Sequence, residues 1–174
     1  MSFITAVSQN YDRSWFRKIV RRLTNSLAED LLVQSVTDNI REQLRVDRVV
    51  LYYFYRQWSG RVTFESVSSS SYSILGSTGP DDCFNGEYAA LYQNGRVKAI
   101  ADLETASIAD CHRDFLVKMG VKANLVVPVL PSSGLWGLLV AHHCQHTVDW
   151  TKSQITLMQA GANTLARSQT IKGS

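Results

Sequence analysis

ASIADCHRDFLVKMGVKANLVVPVL, residues 106–130, is the stretch on which the fold turns. Cys111, Phe115 and Met119 recur at every fourth position with Leu116 beside them, which is the spacing of a helix, and Gly120 stands where helices stop. Ala123–Leu130 and Leu135–His142 are then two apolar runs around Pro131-Ser132-Ser133-Gly134, a pattern that predicts a hairpin near the centre of a sheet. Pro128 is expected where its missing N–H is tolerated.

Working upstream, Val97–Ala101 reads as a short strand, and Tyr88, Leu91 and Tyr92 as a short helix stopped by Asn94-Gly95. Serines crowd residues 66–73 and Gly76, Gly79 and Pro80 follow, so 68–82 is expected to be a long irregular loop of the kind that carries function. Asp47–Tyr55, β-branched and aromatic, predicts an inner strand that turns at Ser59-Gly60 into a second, Arg61–Val67. Ala28, Leu31, Leu32, Val36, Ile40 and Leu44 lie three and four apart, so Leu27–Leu44 is read as one amphipathic helix. At the other end, Thr151-Lys152-Ser153-Gln154 has the capping-box pattern, and Ile155, Met158, Ala162 and Leu165 give a closing helix its apolar side.

Helices at both ends with antiparallel strands between them imply an α+β sandwich: a central antiparallel sheet of five or six strands, helices on its faces, and segments 68–122 roofing a pocket. The 174 residues, 45 % hydrophobic, suffice for one core, taken as residues 27–168 with a helical extension at 1–26 and a tail at 169–174.

The net charge of +3 is local. Arg13, Arg17, Lys18, Arg21 and Arg22 contribute five positives with no acid among them, leaving 13 basic residues against 15 acidic ones elsewhere, so nucleic-acid binding is not suggested. Interleaved with Trp15, Phe16, Ile19, Val20 and Leu23, these charges give a helix whose apolar side is expected to pack on the body or on a second copy. No signal-peptide layout or membrane-length apolar run occurs, and three cysteines without stapled spacing suit free thiols in a reducing cytoplasm.

Several chemistries are disfavoured. Cys111 and His112 are neighbours, so on a helix their side chains diverge by about 100° and do not form a nucleophilic dyad. Cys83, in GPDDCFNGEY, has no oxyanion-hole or nucleophile-elbow signature beside it. His142, Cys144 and His146 alternate along a strand but match no strong zinc spacing, and Cys144 alone reads as a small buried residue. Gly76 and Gly79 fit no phosphate-binding fingerprint.

In order, Asp81-Asp82-Cys83-Phe84, the Cys111-His112 pair, VKANLVVP and LWGLL resemble the chromophore-binding GAF domain of cyanobacteriochromes, relatives of phytochromes, in the two-cysteine subgroup with a D-x-C-F motif. Gly79-Pro80 before the motif, in place of a tryptophan, agrees with that subgroup. The resemblance implies a GAF fold and a bilin photoreceptor, not a turnover enzyme. Its cofactor would be phycocyanobilin, phycoviolobilin or both, bonded at ring A to Cys111 and reversibly at the C10 bridge to Cys83. The second bond shortens the conjugated path, so a blue-absorbing 15Z state and a longer-wavelength 15E state are implied. By the same resemblance Asp81 faces the pyrrole N–H groups, His112 packs on the rings, His142 touches ring D, and Phe84 and Tyr88 lie near the chromophore. Arg96 and Lys98 are the nearest cations for the propionates. A homodimer through the terminal helices and a separate output domain or signalling partner are further expectations. The rival reading is a GAF module for a cyclic nucleotide or other small ligand without photochemistry.

Overall fold

The computed structural model describes residues 3–56, 58–79 and 86–174, with side chains from Arg13 onward. Its elements run α1 (Phe3–Glu29), α2 (Leu31–Leu44), β1 (Arg48–Arg56), β2 (Ser59–Val67), α3 (Gly86–Gln93), β3 (Lys98–Ile100), α4 (Asp110–Lys118), β4 (Ala123–Val129), β5 (Gly137–His143), α5 (Lys152–Leu165) and α6 (Gln169–Lys172). The five strands form one antiparallel sheet in the order β2-β1-β5-β4-β3, so the expected α+β sandwich is present and the β4–β5 hairpin holds its centre. Pro128 lies beyond the part of β4 that β3 pairs, which ends at Val126.

Alternation along the strands divides the side chains between two faces. Val49 and Leu51 of β1, Leu125 and Val127 of β4, and Leu139 and Ala141 of β5 pack with Val33, Ile40 and Leu44 of α2 and Met158, Ala162 and Leu165 of α5 in the main core. Each large side chain fully buried there contributes roughly 1.5–3 kcal/mol. Leu23 and Leu27 of α1 join this core, so the apolar side of the basic helix packs on the body, while Trp15 stays 57 % exposed. The intervening residues Arg48, Val50, Tyr52, Asn124, Val126, Leu138, Val140 and His142 belong to the opposite face, which α3, α4 and the long loop cover.

Three local departures have clear causes. The helix read from Leu27 to Leu44 is divided at Asp30, whose carboxylate caps the N–H groups of Leu32 and Val33 and accepts from Ser168 and Thr170 of the C-terminal segment. Residues 169–172, expected as part of a tail, form α6, and Ile171 is fully buried in the main core. Ser59-Gly60 is not the turn: both residues belong to β2, Gly60 pairs with Phe54, and Trp58 takes the left-handed conformation at φ 63°. A side chain at Gly60 would collide with the Tyr52 ring, which is why glycine sits inside this strand.

Elsewhere the local signals match their elements. Thr151 and Gln154 form the reciprocal capping box of α5. Gly120 ends the α4 region at φ +70°, with the Val121 N–H returning to the Leu116 carbonyl.

Candidate functional site

A cleft with about 810 Å³ of empty space, counted to its open mouth, lies between the second sheet face and its cover. Val50, Tyr52, Val62, Val126, Leu138 and Val140 form its floor; Tyr88 and Tyr92 of α3 and His112, Phe115, Leu116 and Met119 of α4 form its walls. The long loop is held against it: Gly76 donates to the Val62 carbonyl, Val62 to Ser77, and Gly79 to the Tyr52 hydroxyl at 2.9 Å. Trp58, in the left-handed conformation between β1 and β2, also reaches the cleft.

Polar groups in this lining are few. His142 ends the β5 row, and its Nδ1 accepts a hydrogen bond of 2.9 Å from Arg48 Nε. A nitrogen that accepts carries no proton, so neutral His142 bears its hydrogen on Nε2 and is a donor from that side. Burial and then the Arg48 charge hold the His142 pKa well below the usual imidazole value, which keeps the ring neutral. Arg48 is itself 2 % exposed and completes its fork on the carbonyls of Tyr72 at 2.9 Å and Met119 at 2.5 Å, thereby fastening the loop and the end of α4 to β1 and β5. Its pKa is lowered by burial, partly opposed by Cys144, Glu65 and Asp47. Asn124, opposite His142 on β4, is 1 % exposed, and its buried Oδ1 has no hydrogen-bond partner among the described residues.

At the α3–α4 wall, the His112 ring stands edge-on to Tyr88 with centroids 6.4 Å apart. Burial, then Lys98 and Arg96, lower the His112 pKa, so this imidazole is also biased to the neutral form. The Arg96 guanidinium lies 4.9 Å from the Tyr88 ring and 5.9 Å from Tyr92, beside the cleft rather than in its lining, and Lys98 occupies edge strand β3. Cys111 is exposed in the first turn of α4. The Cys111 sulfur is disulfide-bonded, so addition of a ligand to it requires reduction first.

The structure therefore brings His112, His142 and Tyr88 to one cleft, with Cys111, Arg96 and Lys98 adjoining it. Asp81, Cys83 and Phe84 lie outside the described residues. Among the described residues no group of three potential ligands is placed to hold a metal ion, and His143 turns to the other face against Trp150, 5.7 Å between ring centroids. No helix among the described residues is long and apolar enough to cross a membrane. Sequence reasoning passed over Arg48 and Asn124. Both carried a signal: each is a polar residue on the alternate positions of an otherwise apolar strand.

The sequence matches the GAF domain family over residues 29–168. An uncharacterised protein of Picosynechococcus sp. is 48 % identical over 157 residues, 90 % of this chain and 95 % of that protein. A further relative from Synechocystis sp., 37 % identical over 80 % of this chain, is so long that the match spans 14 % of it. Among solved structures, the blue-light absorbing form of the Thermosynechococcus elongatus PixJ GAF domain superposes with a TM-score of 0.67 at 32 % identity, covering 77 % of this chain and 84 % of that one. The phycocyanobilin-bound GAF domain of a cyanobacterial phytochrome gives 0.68 at 29 % identity, covering 87 % and 91 %. The chain belongs to the GAF domain family, within the phytochrome and cyanobacteriochrome superfamily.

Proposed function

We propose that this GAF domain is a photoreceptor that holds a linear tetrapyrrole in the cleft between its sheet and α3–α4. The observation that carries the reading is the pairing of an apolar cleft with Cys111, whose sequence neighbour His112 lines that cleft on α4. The likeness to a blue-light absorbing GAF domain and to a phycocyanobilin-bound one supports it. The residues fit such a group: apolar and aromatic walls suit conjugated rings, neutral His112 and His142 add no charge against a protonated bilin, and the orphan Asn124 oxygen awaits a donor.

When bound, phycocyanobilin or its isomer phycoviolobilin supplies visible absorption and a bridge that light converts between 15Z and 15E. Cys111 anchors ring A, and Cys83 is the reversible second link that shifts absorption to the blue. Asp81 accepts from the pyrrole N–H groups, His112 packs on the rings, His142 donates to ring D, and Phe84 and Tyr88 flank the chromophore. Arg96 and Lys98 serve the propionates. The signal leaves through the terminal helices by a change in how two copies pack, toward an output domain or partner. Attachment is the protein's own covalent step and involves no turnover of a substrate.

The test is the absorption spectrum after co-expression with phycocyanobilin synthesis, in wild type, Cys111→Ala and Cys83→Ala. Stable colour lost in the first variant and a blue state lost in the second are the expected results.

A further inference from the structure

Arg48, His142 and Asn124 occupy one row across β1, β5 and β4, since His142 is the register partner of both others. His142 and Asn124 line the cleft, and the two differ in chemistry. Arg48 fixes the hydrogen of His142 on Nε2, so His142 offers a donor toward a ligand and nothing else. Asn124 offers the complement. Asn124 lines the cleft, is 1 % exposed, and its Oδ1 has no partner among the described residues. A buried acceptor left unpaired costs about 1–3 kcal/mol, and such exceptions are rare enough to point to a missing partner.

A donor from His142 and an acceptor from Asn124, on adjacent strands at the same register, match a group presenting a carbonyl beside an N–H. Apolar walls exclude water from competing for either position. In a linear tetrapyrrole that group is the lactam of a terminal ring. Resting on the bilin reading above, we propose that Asn124 is a chromophore-positioning residue that accepts the ring D N–H while His142 donates to the ring D carbonyl. The pair then reads the orientation of ring D, because rotation of that ring removes both bonds together. Arg48 acts through His142 and touches no ligand.

Wild type, Asn124→Leu and Asn124→Asp are to be assembled with ¹⁵N-labelled phycocyanobilin under reducing conditions. Covalent loading is read on the denatured protein, and the ring D N–H signal by ¹⁵N NMR of the dark state. Leucine is close in volume and has no acceptor; aspartate keeps the acceptor and loses the donor. The expected result is full loading in all three, a ring D N–H signal shifted away from the wild-type position in Asn124→Leu, and one retained at a hydrogen-bonded position in Asn124→Asp. A ring D signal unmoved in Asn124→Leu overturns the proposal. So does loss of loading in Asn124→Asp with unchanged ring D signal in Asn124→Leu, the outcome of an amide that donates to a propionate instead. Failure of wild type to load any bilin refutes the photoreceptor reading itself, and the ring D assignment falls with it.

Discussion

Removal of the Arg48 guanidinium severs the fork that joins four parts of the molecule. Arg48→Met leaves His142 Nδ1, the Tyr72 carbonyl and the Met119 carbonyl without their donor. Three bonds from a charged donor at roughly 1.5 kcal/mol each amount to about 4.5 kcal/mol, and relief of a buried charge returns about 1–2, so the variant loses about 3 kcal/mol. With a urea dependence of about 2 kcal/mol/M, the unfolding midpoint falls by about 1.5 M. Arg48→Lys recovers little, because one ammonium does not span the three acceptors of a planar fork. Urea unfolding of the ligand-free protein followed by tryptophan fluorescence measures this directly. A midpoint for Arg48→Met within about 0.3 M of wild type refutes the claim that the fork fastens the loop and α4 to the sheet.

Three further perturbations test other joints. Asp30→Ala removes the α2 cap and the anchor for Ser168 and Thr170, and is expected to lower stability by about 2 kcal/mol in the same assay, with Asp30→Asn retaining part of it. Gly137→Ala drives a Cβ into the Tyr52 carbonyl where β5 meets β1, and is expected to cost about 1–3 kcal/mol or more, whereas alanine at Gly134, where nothing stands within 4 Å, meets only the strain of φ +117°. The pKa values of His112, His142 and His143 are all lowered by burial, so below about pH 6.5 the unfolded chain binds more protons than the folded one. Their contribution is fully present above that pH and is lost as pH falls toward the depressed folded values; urea midpoints at about pH 7.5 and about pH 5 check it, and a higher midpoint at the lower pH contradicts it.

The sandwich was legible because its inner strands are short, continuous apolar and aromatic runs bounded by turn residues. In VVLYY and LLVAHH the periodicity assigns every second residue to one face, and it separates His142 from His143 without reference to tertiary contacts. The capping box at Thr151 and the stop at Gly120 were equally local. What escaped were features created by pairing. Gly60 looked like a turn residue, but its position is set by the Tyr52 ring across the strand. Asp30 looked like one more polar residue on a helix, but it binds a segment 138 residues away in sequence. In the cleft, His112, Tyr88 and His142 were named from motifs, whereas Arg48 and Asn124 acquire meaning only when β1, β5 and β4 lie side by side. Strand order is not written in any single strand.

The central claim is tested most directly by one spectrum: the purified domain, co-expressed with phycocyanobilin synthesis and kept reduced, recorded before and after blue light beside Cys111→Ala. A covalent pigment that converts reversibly from a blue-absorbing state to a longer-wavelength one, absent from Cys111→Ala, is the predicted result. A folded, colourless wild type under the same conditions contradicts the photoreceptor account.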